Sequence, residues 1–318
     1  IFSCPAGRAE DVRIIVTGGA GFIGSNIVDP YLERGHEVHI FDDLSTGQKA
    51  NLNAKATLHE VDIAAPEAAR RIEQIKPDVL CHHAAQMDVR HSVADPTFDA
   101  RVNILGFINL LEAGKNAGVK KVIFASSGGA VYGEQEAFPA AEDHVTRPAS
   151  PYGVSKRAGE LYLSYYQQAF GLPYIALRYA NVYGPRQSAR GEAGVVAIFL
   201  SVLLQGKTPI INGDGGQTRD YVYVGDVVAA NVAALDAQFV GEINIGTGIE
   251  TDVVTIFQRL RQAVGSEIDA RHGPAKPGEQ RRSCIDAGRA AQVLGWRPKM
   301  ALTEGLRRTA AWYRDSAG

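Results

Sequence analysis

The sequence predicts an α/β fold built on a doubly wound parallel sheet, and three observations carry the prediction. β-branched runs alternate with helical stretches of about a dozen residues, the pattern of consecutive βαβ units with right-handed crossovers. The first run stops at a glycine cluster that opens a helix. The chain has 318 residues, 45% of them apolar and 21% charged, so it can bury a large core without disulfides or a metal. Its 34 glycines follow no fibre period and point to tight turns, or to backbone brought close to a ligand.

The elements follow in order. Residues 12–16 (VRIIV) read as a buried parallel strand, residues 22–34 as a helix ending at Gly35, and residues 37–41 (EVHIF) as a second strand. Pro30 lies inside that first helix, removes one backbone hydrogen bond and is expected to kink it. Residues 57–61 form a third strand, 66–75 a helix, 78–82 a strand, 102–117 a helix, 121–125 a strand, 151–170 a helix and 174–178 a strand. After about Gly184 the pattern loosens. Glycine-rich turns at 212–216, a helix at 224–237, a short strand at 242–245 and a last helix at 303–314 remain. The expected organisation is a first domain over residues 11–183 and a smaller C-terminal region over 184–318, partly interleaved with it.

Several function classes are disfavoured. A net charge of −2 argues against bulk electrostatic affinity for nucleic acid or an anionic membrane. The longest nearly apolar stretch, residues 193–204, is shorter than the ~20 residues that span a bilayer. Cys4, Cys81 and Cys284 are far apart, odd in number and form no CxxC pair, which suits a reduced, cytoplasmic setting. Residues 1–10 lack a start Met and an apolar signal core and are set aside from the fold. His82 and His83 adjoin a strand end, but no second group of ligands stands at usable spacing. Strand packing fits them better than a metal. His36, His39 and His59 read as surface or strand-face residues.

Two motifs carry chemistry. TGGAGFIG, from Thr17 to Gly24, places Gly18, Gly21 and Gly24 as a spaced variant of the Rossmann-type fingerprint. The first glycine allows a tight turn, the second lets a pyrophosphate approach, and the third seats the helix on the strand. The free N–H groups of the helix start, at Phe22, Ile23 and Gly24, would face the phosphates. Asp42 ends the second strand, 18 residues beyond Gly24, where a carboxylate bonds a ribose 2′-OH and repels a 2′-phosphate. This favours NAD over NADP, with Asp43 the rival to Asp42. Asp62 and Ile63, at the end of the third strand, would meet the adenine edge or simply turn the chain.

The second motif is Tyr152-Gly153-Val154-Ser155-Lys156, whose spacing of four puts phenol and ammonium on one helix face. Tyrosine is a poor base near neutral pH, and an adjacent cation favours its phenolate, which can then take a proton from a hydroxyl. Ser126 and Ser127 end the strand KVIFA, from which a hydroxyl can enter the cleft beyond the sheet's carboxyl edge.

These motifs occur in order with HHAAQMDVRHSV, SSGGAVYG, LRYANVYGPRQ and GDGGQTRDYVYVGDV. Together they resemble the extended short-chain dehydrogenase/reductase family, and within it the NAD-dependent UDP-glucose 4-epimerases. The resemblance runs from about Arg13 to Tyr313. It implies a first domain that binds NAD and a C-terminal region that binds a UDP-sugar. Ala84 would lie beside the cofactor. Tyr152 would act as the base on the sugar 4-OH, Lys156 would support it and hold the nicotinamide ribose, and Ser127 would bond the reacting oxygen. Hydride would leave C4 and return to its other face. Relatives that dehydrate or decarboxylate carry acids just after the catalytic hydroxyl residue, where this chain has Gly128 and Gly129. Other nucleotide-sugar enzymes acting on GDP- or dTDP-sugars remain open, as does a non-catalytic NAD-binding redox sensor.

On the substrate side the resemblance implies that Arg219 grips the diphosphate, unless it pairs with Asp220. Asn181 would bond the phosphate or sugar, Asn212 the base, and Glu279 the uridine ribose. Lys276 stands where relatives have an Arg, and Arg281 is the neighbour that could compensate. Arg178 fits a structural ion pair. Ser283 stands where a bulky Tyr narrows the sugar pocket of relatives, which implies that N-acetylhexoses enter as well, unless the loop here takes another path. The helices at 102–117 and 151–170 match those that pair in family homodimers.

Overall fold

A computed structural model describes residues 11–189, 194–276 and 280–316. Its centre is a seven-stranded sheet of order β10-β6-β5-β4-β1-β2-β3. The strands are β1 (Arg13–Thr17), β2 (Glu37–Asp42), β3 (Thr57–Glu60), β4 (Val79–His82), β5 (Lys121–Ser127), β6 (Tyr174–Tyr179) and β10 (Gly241–Ile245). Every pairing in it is parallel. The chain starts in the middle at β1, winds out to β3, and returns to β4 on the other side of β1. That reversal makes the carboxyl ends of β1 and β4 the switch point, where a ligand crevice opens in such sheets.

Helices cover both faces. On one side, α1 (Phe22–Glu33) and α8 (Val224–Asp236) pack on the sheet through Ile27, Tyr31, Val227 and Ala230. On the other, α2 (Pro66–Ile75), α5 (Gly106–Ala117) and α6 (Pro151–Phe170) bury Ile72, Phe107, Leu111 and Leu163 against it. The first helix remains helical through Pro30, with Arg34 N–H bonding the Pro30 carbonyl at 3.1 Å.

The C-terminal region adds a smaller layer. Strands β7 (Asn181–Tyr183), β9 (Thr218–Tyr223), β11 (Glu250–Asp252) and β13 (Arg282–Ser283) form one sheet, and β8 (Ile210–Asn212) pairs β12 (Arg271–Gly273). Helices α7 (Val195–Leu204), α9 (Val253–Val264) and α11 (Leu302–Ser316) build its core with Tyr183 and Tyr221, and α10 (Gly288–Val293) follows β13. Strand β10 and helix α8 come from this half of the chain but complete the first layer. No helix among the described residues is long and apolar enough to cross a membrane.

The helix expected at 102–117 begins earlier and in pieces. Helix α3 (Val89–Ala94) is capped by Asp88 and α4 (Pro96–Ala100) by Asp95, and a π-turn (Arg101–Leu105) leads into α5. The signal was present in Asp95-Pro96, a capping acid followed by proline at the first helical position.

Helix α6 is fixed to the sheet by a buried ion pair. Arg178 on β6 donates from Nε and Nη2 to the two Glu160 oxygens at 2.8 and 2.9 Å, both side chains buried. Arg178 is thus the structural residue expected. Removing one partner strands the other charge away from water, typically at a cost of about 3–5 kcal/mol. Arg178→Ala should lower the unfolding free energy by about that much in a urea titration. A loss under about 1 kcal/mol would show that the pair does not hold the helix.

Candidate active site

The glycine turn lies at the switch point. Gly18 has φ +68°, and a Cβ there would stand 2.7 Å from Ala84 N, so only glycine fits where β1 meets the end of β4. A Cβ on Gly24 would stand 2.2 Å from the Gly18 carbonyl oxygen, which is how closely helix and turn approach. Gly21 occupies the N-cap position of α1 without a side-chain cap. The N–H groups of the first turn, at Phe22, Ile23 and Gly24, have no intrahelical partner and carry the positive dipole end. Phe22 and Ile23 are half-buried. A diphosphate fits this cradle.

Asp42 braces the same turn. Its oxygens accept the Ala20 and Leu44 N–H groups, both at 2.9 Å. Burial raises its pKa above the usual carboxylate range, opposed by those two bonds. A carboxylate offers about four acceptor positions, so two remain for ribose hydroxyls. Asp43 spends one oxygen on Ser45 N–H and Oγ. Asp62 accepts from Ala64 N–H at 2.8 Å and pairs with Arg101. The Ile63 side chain is buried in the core against Gly106, so any contact it makes with a cofactor comes from its backbone. Thr17 Oγ1 accepts the His83 and Ala84 N–H groups at 3.1 and 3.0 Å, holding the loop after β4.

Lys156 and Tyr152 leave the first turns of α6, which Ser150 caps through Gly153 N–H. The Lys156 ammonium is buried, donates to the Ala125 carbonyl of β5 at 2.9 Å, and lies 5.7 Å from the Tyr152 ring centre. Burial pushes it down to about 8, while the charges of Asp99 and Glu160 pull it back up. The two serines separate cleanly. Ser126 is buried and donates to Glu160 Oε1 at 2.6 Å, so Ser127, the next residue and on the opposite side of the strand, is the one that turns to the cleft. A Cβ built on Gly129 would stand 3.9 Å from Ser127 Oγ and 3.6 Å from Asn181 Oδ1, so those two side chains flank one open point.

Arg219 donates from Nη1 to the Thr218 carbonyl at 2.8 Å. Successive residues of β9 face opposite ways, and Asp220 is buried, accepting from Thr247 N and Oγ1 and from Gly248 N. Arg219 stands in register with Ser283 of β13, on a strand whose Tyr221 pairs Asn181 of β7. Asn212 ends β8 opposite Gly273, and Lys276 is exposed just beyond. These two sit on the separate ribbon. Glu279 lies outside the described residues. Arg281 pairs with Asp214 at 2.8 and 2.9 Å, both side chains exposed.

His82 is stacked 4.5 Å from Phe107, and burial drives its pKa well below normal. His83 meets Tyr179 Oη at 3.0 Å, and burial pushes it down to about 3. Both are neutral packing residues. No group of three metal-ligating side chains forms among the described residues.

A family model for the NAD-dependent epimerase/dehydratase family matches residues 14–246. The chain belongs to that family. It is 46% identical over 312 residues to UDP-glucose 4-epimerase of Mycolicibacterium smegmatis, covering 96% of this chain and 100% of that one. Among solved structures it resembles a UDP-glucose 4-epimerase of Thermotoga maritima with UDP-glucose, at TM-score 0.94 and 45% identity over 96% of this chain and 100% of the other. It also resembles a Thermus thermophilus UDP-glucose 4-epimerase in complex with NAD, at TM-score 0.91 and 44% identity over 95% and 99%.

For this epimerase/dehydratase the sequence motifs missed the residues that support the site from behind. Glu160, Asp99 and Asn103 belong to no motif, Gln86 lies within HHAAQMDVRHSV without a role assigned to it, and only the fold joins them.

The buried lysine has a measurable consequence. Its pKa is depressed from 10.5 to about 8. Below pH 8 the folded state carries the full penalty of a buried charge, and that penalty disappears as pH rises from 8 towards 10.5. The shift corresponds to about 3 kcal/mol. Lys156→Met, with no charge to bury, should therefore gain on the wild type at pH 7 and lose that advantage by pH 10.5. Denaturant titrations of both proteins at the two pH values test this. A difference in stability that does not move with pH would refute it.

Proposed function

We propose that this protein is an NAD-dependent epimerase that inverts C4 of a UDP-hexose, interconverting UDP-glucose and UDP-galactose. The observation that carries the reading is the convergence of Ser127, Tyr152 and buried Lys156 on the carboxyl edge of the sheet that also presents the Gly18–Gly24 cradle. Gly18, Gly21, Phe22, Ile23 and Gly24 would hold the pyrophosphate of NAD. Asp42, seconded by Asp43, would hold the adenosine ribose, with Asp62, Ile63 and Ala84 lining the cofactor. When bound, NAD supplies the acceptor and donor of the C4 hydride.

The chain's own residues do the rest. The Tyr152 phenolate takes the 4-OH proton and returns it to the same oxygen. The Lys156 ammonium, held by the Ala125 carbonyl, supplies the positive charge that favours that phenolate. Ser127 Oγ bonds the reacting oxygen across the open point beside Gly129. Arg219 suits the diphosphate, whose oxygens its planar fork can meet in pairs. Asn181 would bond sugar or phosphate, and Asn212, Lys276 and Glu279 would meet the uridine end. Dehydration would need acids beside the sugar. The nearby carboxylates are engaged elsewhere, Glu160 with Arg178 and Asp99 with Ser155.

Finer statements belong to the same proposal. Leu161, Tyr162, Tyr165 and Phe170 expose apolar surface along α6, which suits a homodimer that buries this face. The free thiols of Cys81 and Cys284 suit the cytoplasm. Ser283, in register with Arg219, is a small side chain where relatives carry Tyr, and this supports acceptance of an N-acetyl group on the sugar.

Incubation with UDP-glucose should yield UDP-galactose, resolved by chromatography, and denaturation should release nicotinamide cofactor. Tyr152→Phe should cut kcat by about 10²–10⁴-fold, the usual size of a lost general base. Bound NAD with no epimer formed from any UDP-hexose would end the proposal. Ser283→Tyr should depress turnover of UDP-N-acetylglucosamine while sparing UDP-glucose. Equal effects on both sugars would remove the N-acetyl reading.

A further inference from the structure

Bonded to Ser155, the residue before Lys156, lies a carboxylate that none of the steps above uses. Asp99, on α4, is fully buried. Its Oδ2 accepts from Ser155 Oγ at 2.5 Å, and its Oδ1 from Gln86 Nε2 at 3.1 Å and Asn103 Nδ2 at 3.0 Å. All three donors are neutral. A buried carboxylate with only neutral donors is costly and is stabilised further by a cation nearby.

Each donor belongs to a different part of the site. Ser155 precedes Lys156 on the helix that carries Tyr152. Gln86 lies in the loop after Ala84. Asn103 sits in the π-turn at Arg101–Leu105, a helical irregularity that often marks functional positions. There it grips the Gln86 main chain twice, accepting its N–H at 2.9 Å and donating to its carbonyl at 2.8 Å. Asp99 is therefore the junction of the catalytic helix and the cofactor-side loop.

We propose that Asp99 is a positioning residue for the epimerase reaction, holding the Lys156 ammonium in its charged, working place and tying α6 to the loop at residues 84–88. The proposal rests on the C4-epimerase reading. The charged and titratable groups that face Lys156 are Asp99 from α4, Glu160 and Tyr152 from α6, and His82 and His83 from the end of β4. The histidines are neutral and Glu160 is bound to Arg178. Asp99 is thus the carboxylate whose removal most changes the field at the ammonium.

The sign follows. A negative charge favours ammonium, so losing it makes Lys156 give up its proton at lower pH. In Asp99→Asn, which is nearly isosteric, the alkaline limb of the kcat profile should move about one unit or more towards acid, with KM for UDP-glucose little changed. Asp99→Glu, which keeps the charge, should leave the limb in place even if kcat falls. The same acid shift should appear in the stability that Lys156 costs, measured by adding K156M to each background, and that readout needs no turnover. A wild type that forms no epimer would count against the functional reading alone, and the stability comparison would still decide for or against Asp99. Unmoved limb and unmoved linkage in Asp99→Asn would overturn the proposal. If Asp99→Asn does not fold, Asp99→Ser, with room for a water, carries the same expectation. Failure of both to fold would overturn it in favour of a purely structural carboxylate.

Discussion

Glu160 and Arg178 meet inside the protein, where each charge has given up its water. Such a pair is tolerated when its geometry is good and its spare valences are filled. Both conditions hold. The contact is two-pronged, Ser126 and Arg157 complete Glu160, and Tyr132 accepts from Arg178 at 3.0 Å. The consequence is positional. The pair clamps the third turn of α6 to β5 and β6, with Lys156 about one turn and Tyr152 about two turns before the clamp. Ser127 follows the clamped Ser126 by one residue. The relative placement of Ser127, Tyr152 and Lys156 is therefore set by side chains outside that trio.

The cofactor end relies on backbone. Gly18 and Gly24 bring β1, the turn and α1 so close that a single Cβ would collide. Asp42 holds the turn from outside and Thr17 ties it to the loop after β4. The free N–H groups then need no side chain to present them. Rigid backbone at one end and a buried charge network at the other meet across the switch point of the sheet.

Much of this was legible in the sequence. The βαβ alternation, the glycine spacing, Asp42 and the Tyr152/Lys156 pair are local patterns, and each maps onto the element that produced it. The choice between Ser126 and Ser127 was not local, because it turns on a glutamate 34 residues away from Ser126. Strands β7, β8, β11, β12 and β13 were missed because two or three residues show no periodicity, and β9 because it lies outside the βαβ alternation. Asp99 was invisible for the same physical reason as Glu160. A buried carboxylate is defined by what folds around it, and its donors Gln86, Asn103 and Ser155 come from three separate segments. A pairing of Arg219 with Asp220 was the lesser alternative to a diphosphate grip, and strand alternation points the two residues to opposite faces.

A site that removes and restores the same hydrogen at C4 keeps it from exchange with water. UDP-glucose deuterated at C4 reads this directly, with the UDP-galactose formed analysed by mass spectrometry and proton NMR. The product should keep its deuterium at C4, and unlabelled substrate turned over in D2O should take up none there. Loss of the label to solvent, or uptake of solvent deuterium at C4, would rule out such a transfer.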